Sequence, residues 1–109
     1  QIVAKRGGLI VGSAVLSLMR GNNGVGVKGW LEDFVVHPDE RGRGTANQMA
    51  DYWEEWYRNK GAKVLHFTSG WDRQPAHSFY FKRGATIMNE SGRDSDPTAF
   101  FYYPISERV

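Results

Sequence analysis

Residues 30–50 read WLEDFVVHPDERGRGTANQMA, and this stretch decides the fold. An apolar run typical of a strand comes first, and Pro38 ends it because proline cannot donate a hydrogen bond to a sheet. A charged loop then leads through Gly42 and Gly44 into a helical pattern. Free backbone N–H groups at the start of a helix, together with the helix dipole, favour a phosphate or pyrophosphate. Alone, the Arg-Gly-Arg-Gly sequence fits a solvated charged turn equally well, whereas the order of strand, proline, loop, glycine and helix is more specific.

The chain as a whole predicts six strands and two helices. Strands are predicted over residues 2–5, 9–20, 28–37, 62–68, 85–89 and 100–105, and helices over residues 44–60 and 73–83. The order β-β-β-α-β-α-β-β is typical of an α/β fold in which helices pack on a mixed sheet. The hairpins imply antiparallel pairing, and the two β-α-β crossings imply parallel neighbours with right-handed connections. The strand over residues 28–37 carries few polar residues, so we expect both of its faces to be covered.

The first predicted helix is amphipathic. Its apolar residues recur at helical spacing and form one stripe, which comprises Ala46, Met49, Ala50, Trp53 and Tyr57. We expect this stripe to pack on the sheet. We also expect Gly61 to end the helix, because glycine is preferred just after a helix C-terminus.

Composition excludes several classes of function. The 109 residues suit one domain over 1–109, and a net charge of +2 argues against a nucleic-acid partner. The absence of cysteine excludes disulfides, cysteine zinc sites and a thiol nucleophile, and the three histidines show no metal-ligand spacing, so we expect no metal. No apolar run reaches the about 20 residues of a membrane span, and no signal-peptide pattern opens the chain. We therefore expect no membrane partner and a cytoplasmic location.

Three segments resemble the GNAT family of N-acetyltransferases. Arg41, Arg43, Gly44 and Ala46 match the family signature Arg/Gln-x-x-Gly-x-Gly/Ala. Residues 30–38 resemble the fourth strand of the family, and residues 78–85 resemble its later helix; the Leu-Glu-Asp-Phe-Val strand and a Phe-Tyr pair are closest to the diamine and polyamine acetyltransferase branch. The resemblance covers residues 2–105 and implies a GNAT-like acyl-CoA N-acyltransferase fold without the N-terminal strand and helices. Those elements normally build much of the wall around the acceptor.

The resemblance implies acetyl-CoA as the acyl donor. A cradle over residues 41–46 would bind the pyrophosphate through backbone N–H groups, and a bulge would splay the third strand so that its edge pairs with the pantetheine amides. An N–H group near Val35 would then stabilise the oxyanion. Arg73 stands where the family often has Asn. The candidate coenzyme-binding residues are Phe34, Val35, Val36, Arg41, Gly42, Arg43, Gly44, Thr45, Ala46, Arg73, Phe79 and Lys82.

Glu32 and Tyr80 are the candidate catalytic residues. Glu32 is the candidate general base, acting directly or through water, because a carboxylate in a covered strand is costly unless it is partnered or functional. Strand alternation directs Asp33 to the opposite face. Glu32 could instead pair with a cation or lie at an exposed strand edge. Tyr80 is the candidate general acid for the thiolate of coenzyme A; spacing alone favours a core aromatic, four residues after Ala76, and the resemblance favours the leaving-group role.

The sequence thus predicts an enzyme that acetylates a primary amine of an unidentified acceptor by direct attack. The alternative is a non-catalytic module that binds acyl-CoA. A ribosome-facing or nucleic-acid-binding protein is a third possibility, against which the small net charge argues. We expect a homodimer, because a domain without its first elements leaves apolar sheet surface to cover. Trp71 could line the acceptor pocket or pack over the sheet, and we expect His37 and His77 at the surface or in capping positions.

Overall fold

The computed structural model describes residues 1–20, 26–40, 42–71, 73–89 and 97–105. The strands are β1 (Ile2–Arg6), β2 (Leu9–Arg20), β3 (Val27–Val36), β4 (Val64–Gly70), β5 (Thr86–Ile87) and β6 (Thr98–Pro104), and the helices are α1 (Thr45–Asn59) and α2 (Gln74–Lys82). A single 3-10 turn, Pro38–Glu40, follows β3. Both the α/β class and the order of the elements agree with the sequence prediction. No helix in the described part of the chain has the length and apolar character needed to cross a membrane.

The apolar stripe of α1 packs on the sheet as its spacing predicts. Met49, Ala50, Trp53 and Tyr57 are all buried. Gly61 follows the helix with a φ of 83°, a left-handed conformation that costs glycine little, so the predicted end of the helix is confirmed.

Both helices lie on the same face of the sheet. The Phe34 ring on β3 contacts Trp53 of α1 at a centroid distance of 4.8 Å and Phe79 of α2 at 6.2 Å. Beneath the helices, Phe67 of β4 stacks on Phe101 of β6, with centroids 5.0 Å apart. This aromatic layer forms the centre of the core and fixes the two helices relative to the strands that they connect.

The six strands form one mixed sheet in the order β1-β2-β3-β4-β6-β5. β3 and β4 are parallel, as the first crossing predicts. The prediction of parallel neighbours for the second crossing is wrong, because β6 lies between β4 and β5 and is antiparallel to both. Length explains the difference: β6 pairs with β4 over seven residues and buries Phe101 and Tyr103, whereas β5 has only two residues.

β3 separates from β4 after a short paired segment. The two strands pair only at Gly29↔Leu65 and Trp30↔His66. Farther along β3, its register with β2 shifts between Ser13 and Val15, and Asp33 has a φ of 53°. This arrangement is a β-bulge, which bends a strand and increases its twist. The bulge that the family resemblance implies is therefore present, and a wedge-shaped opening lies between the ends of β3 and β4.

Candidate active site

The opening between β3 and β4, here called the β3–β4 cleft, has a volume of about 560 Å³. Its walls are the end of β3, the end of β4 and the start of α2. The lining residues are Ser13, Trp30, Leu31, Glu32, Asp33, Phe34, Val35, Phe67, Thr68, Ser69, Gly70, Arg73, Tyr80 and Thr98. The cleft thus brings Glu32 and Tyr80, which are 48 residues apart in sequence, into one space.

Tyr80 presents a phenol to the cleft from a buried position. Its ring packs on Phe67 and Phe101, with centroids 4.6 and 5.2 Å away. Among the described residues, no hydrogen-bond partner is found for its hydroxyl, whereas the Tyr57 hydroxyl donates to the Trp30 carbonyl over 2.7 Å. Burial raises the pKa of Tyr80, and the positive charge of Arg73 partly opposes that rise. Tyr80 therefore keeps its proton at neutral pH and has it available for donation.

Glu32 is exposed, so the expectation that both faces of its strand are covered is wrong at this position. The bulge is the physical reason, since it turns the end of β3 away from β4 and opens it to solvent. The Trp30 indole N–H donates to Glu32 Oε1 over 2.6 Å and fixes the carboxylate at the mouth of the cleft. Asp33 is exposed as well, because the bulge interrupts the alternation that was expected to separate the two side chains.

The backbone of β3 also contributes to the cleft. The N–H of His37 donates to the Val11 carbonyl over 2.7 Å, so this N–H points toward β2. Alternation then directs the N–H of Val35 toward β2 and the N–H groups of Phe34 and Val36 toward the open side. The donors that can face a ligand are therefore the immediate neighbours of Val35 and not Val35 itself.

A second depression, here called the α1 groove, lies at the start of α1 and has a volume of about 580 Å³. It is lined by Val36, Glu40, Gly42, Gly44, Thr45, Ala46, Asn47, Pro75, Ala76 and Phe79. Gly42 and Gly44 have φ values of 77° and 81°, and no side chain caps the helix. The first turn of a helix has N–H groups without intrahelical partners, so this groove can bind an anion through its backbone.

Glu40 is a buried carboxylate that the sequence analysis missed. Arg6 Nε donates to its Oε1 over 2.6 Å, the Thr45 hydroxyl donates to the same oxygen over 3.1 Å, and Arg43 lies 3.5 Å from Oε2. The hydrogen bond from Arg6 lowers the pKa of Glu40. Arg6 is 34 positions away, so no local spacing signals the pair. Thr45 therefore contributes its backbone to the groove while its hydroxyl is engaged elsewhere.

The other predicted coenzyme-binding residues fall in different places. Phe79 lines the α1 groove, whereas Arg73 lines the β3–β4 cleft and not the groove. Lys82 is exposed at the end of α2 and lines neither. Arg41 lies outside the described residues. Within the described ranges, no group of histidine and carboxylate side chains is arranged to hold a metal ion.

The expectation of a surface position for His77 is wrong. The side chain is buried among aromatic rings, and its Nε2 lies 3.2 Å from the Ser69 hydroxyl oxygen. Helical spacing explains the burial, since His77 precedes Tyr80 by three residues and shares its inward face. Trp71 packs against the core and contacts the His77 ring, so it covers the sheet.

Comparisons with known proteins identify relatives of the chain among N-acetyltransferases. The chain is similar to YhdJ of Bacillus subtilis, an uncharacterized N-acetyltransferase, with 36% identity over 59 residues that cover 53% of this chain and 42% of YhdJ. It is also similar to the aminoalkylphosphonate N-acetyltransferase of Salmonella typhimurium, with 29% identity over 82 residues that cover 75% of this chain and 53% of that enzyme. The chain thus spans about half the length of the curated relatives it matches.

Solved structures share the fold. Naa20 from Chaetomium thermophilum, in complex with a bisubstrate analogue, matches with a TM-score of 0.78 at 16% identity, over 94% of this chain and 64% of that chain. A Bacillus anthracis protein described as a streptothricin acetyltransferase, in complex with acetyl coenzyme A, matches with a TM-score of 0.72 at 17% identity, over 94% of this chain and 60% of that chain. The sequence model of the Acetyltransferase (GNAT) family matches residues 1–85, and the chain therefore belongs to the GNAT acetyltransferase family.

Proposed function

We propose that this protein transfers an acetyl group from acetyl-CoA to a primary amine by direct attack of the amine on the thioester. The observation that carries the proposal is the opening of β3 away from β4, with an unengaged phenol at its inner wall. The α1 groove adjoins this opening, because Val36 lines the groove and Val35 lines the cleft. One extended ligand could therefore place a phosphate end in the α1 groove and a thioester end in the β3–β4 cleft.

The donor would use mainly backbone groups. The pyrophosphate would bind the N–H groups of residues 42–46 and the positive end of the α1 dipole. Arg43 would add positive charge, although its guanidinium also forms an ion pair with Glu40. The pantetheine arm would run along the unpaired edge of β3 beside Phe34 and Val36, as an added strand would. In this arrangement β3 would bind the coenzyme through its backbone, so coenzyme binding would not require particular side chains on the strand.

The chemistry needs one proton acceptor and one proton donor. The amine nitrogen attacks the thioester carbonyl carbon, and an N–H group from the β3 edge stabilises the resulting oxyanion. Glu32, acting through water, takes the proton from the amine, and Tyr80 donates its proton to the sulfur as the carbon–sulfur bond breaks. The solvent-exposed position of Glu32 supports a water-mediated role, because the bond from Trp30 occupies only Oε1.

The known relatives support an amine as the acceptor class. The Salmonella typhimurium relative is named for aminoalkylphosphonates, and the structural neighbours include proteins solved with acetyl coenzyme A or a bisubstrate analogue. The proposal is tested by incubating the purified protein with acetyl-CoA and a panel of amines while free thiol is measured. We expect thiol release that depends on the amine. Absence of release with every amine, at saturating coenzyme, would refute acetyl transfer.

A non-catalytic coenzyme-binding module is the second candidate. The observation that favours it is the exposure of Glu32, since the sequence analysis chose this residue as general base for its place in a strand with both faces covered. Calorimetry that detects coenzyme A binding in a protein without turnover would select this candidate.

The homodimer and the cytoplasmic location stay predictions. Leu9 and Ile10 on β2 support association, being 72% and 61% exposed. Sedimentation analysis at micromolar concentration tests the dimer, and a single monomeric species would refute it.

A further inference from the structure

The two walls of the β3–β4 cleft carry opposite charge. Glu32 and Asp33 lie on the β3 wall, and Arg73 lies on the opposite wall where β4 leads into α2. The backbone N–H of Arg73 donates to the Gly70 carbonyl over 3.0 Å, which anchors the residue at the start of α2. In the described part of the chain, no carboxylate forms a salt bridge with the Arg73 guanidinium.

An anion bound by Arg73 in the cleft would not be the coenzyme pyrophosphate. The phosphate-binding backbone lines the α1 groove, and Arg73 is absent from that lining. It lines the same space as Glu32 and Tyr80, in which the thioester and the acceptor would meet. Acetyl-CoA has no anionic group at its thioester end, so an anion near Arg73 has to come from the acceptor or from the departing thiolate.

We infer that the acceptor is a small amine that also carries an anionic group, a carboxylate or a phosphonate, and that Arg73 binds this group. The inference rests on the proposed acetyl transfer and names its substrate class. The amine end would lie near Glu32 and Asp33, and the anionic end at the opposite wall. A guanidinium suits this task because its planar set of N–H donors matches carboxylate and phosphonate oxygens in a bidentate manner.

The charge pattern disfavours a polyamine. A second ammonium group extending from the amine toward Arg73 would meet a like charge, which lowers affinity. The cleft therefore discriminates by the group at the far end of the acceptor and not by the amine itself. This specificity differs from that of the diamine and polyamine branch, whose motifs the sequence most resembles.

Matched acceptors and variants test the inference. The acceptors are 2-aminoethylphosphonate, 3-aminopropanoate, propylamine and 1,3-diaminopropane, which differ mainly in the terminal group. The variants are Arg73→Gln and Arg73→Lys, and Lys5→Gln serves as the matched control because Lys5 is an exposed cation on β1 that lines neither site. The readouts are KM and kcat for each acceptor and KM for acetyl-CoA.

We expect the unmodified protein to prefer both anionic amines. Arg73→Gln should raise KM for these two acceptors roughly 30-fold, as expected for loss of a charged hydrogen-bonded pair, and should change propylamine turnover less than about threefold. Arg73→Lys should show a smaller rise in KM than Arg73→Gln, and Lys5→Gln should leave KM for every acceptor unchanged. An equal fall in kcat for all acceptors would overturn the inference and assign Arg73 to the thiolate. A rise in KM for acetyl-CoA alone would assign it to the coenzyme.

A binding measurement separates this inference from the proposed function. Calorimetry of 2-aminoethylphosphonate against the protein saturated with coenzyme A does not require turnover. Binding that Arg73→Gln weakens, in a protein that acetylates nothing, would sustain the anion subsite and refute the acetyl transfer. Turnover of propylamine without any preference for the anionic amines would sustain the acetyl transfer and refute the anion subsite.

Discussion

The α1 groove and the β3–β4 cleft differ in what they are made of. The groove presents backbone, with Gly42 and Gly44 in left-handed conformations beside the start of α1, which no side chain caps. The cleft presents side chains, chiefly Tyr80 and Glu32, on strands that a bulge holds apart. A backbone site tolerates many side chains but depends on conformation, whereas a side-chain site depends on residue identity. Substitutions that alter the backbone of the groove should therefore affect coenzyme binding, and substitutions of side chains in the cleft should affect the chemical step.

Removal of the Tyr80 hydroxyl is expected to produce the largest effect. Tyr80→Phe should lower kcat about 100-fold, because the thiolate would leave without a proton donor, while the Kd for coenzyme A should stay within about twofold. Tyr103→Phe is the matched control. Tyr103 is also buried, and its hydroxyl accepts a hydrogen bond from Arg83 over 2.9 Å in a cluster outside the cleft. Steady-state kinetics measure kcat, and calorimetry measures the Kd for coenzyme A. Equal kcat values for the two variants would remove Tyr80 from the mechanism.

A side chain at Gly44 is expected to have an intermediate effect. In contrast to Tyr80→Phe, it should change KM for acetyl-CoA and not kcat. Gly44→Val forces a branched residue into a φ of 81° at the mouth of the groove, so KM for acetyl-CoA should rise about 10-fold while kcat changes little. Gly61→Val imposes similar strain at a φ of 83° after the end of α1, with no atom near the added Cβ. The control should lose stability, by about 1–2 kcal/mol, without a change in KM. If both variants raise KM for acetyl-CoA equally, the rise comes from reduced stability of the fold and not from a changed groove.

The smallest expected effect concerns the support beneath the groove. Because the pKa of Glu40 is lowered in the folded protein, its charged form stabilises the fold above the unfolded pKa, and that stability is lost as the pH falls through the folded value. The native protein should therefore lose stability between pH 7 and pH 3 more steeply than Glu40→Gln. Urea denaturation at several pH values measures this difference. Parallel curves for the two proteins would show that the hydrogen bond from Arg6 contributes nothing to stability.

Sequence reasoning located the groove better than the cleft. Glycine spacing before an amphipathic helix is a local signal, and Gly42, Gly44 and Ala46 lie where that signal places them. The exposure of Glu32 was only the alternative to a covered position, because it depends on the bulge that turns the end of β3 away from β4, a property of the whole sheet. The position of β6 between β4 and β5 was missed for a related reason, since pairing length decides it and chain order does not.

Buried polar residues were the other class that sequence reasoning missed. Glu40 and His77 look like surface residues in a charged loop and on a short helix, yet both are buried with partners that are distant in sequence. The pairing of Glu40 with Arg6 requires β1 to lie beside the loop that precedes α1. Local pattern carries no information about such a contact, so only the assembled fold reveals it.

The central claim is that one coenzyme occupies the groove and the cleft together. Titration of the 15N-labelled protein with coenzyme A, followed by amide chemical shifts, tests it most directly. We predict that the amides of Gly42 and Gly44 in the groove shift together with those of Phe34 and Tyr80 in the cleft, and that all four titrate with one Kd. Shifts confined to one of the two regions, or two different Kd values, would contradict the claim.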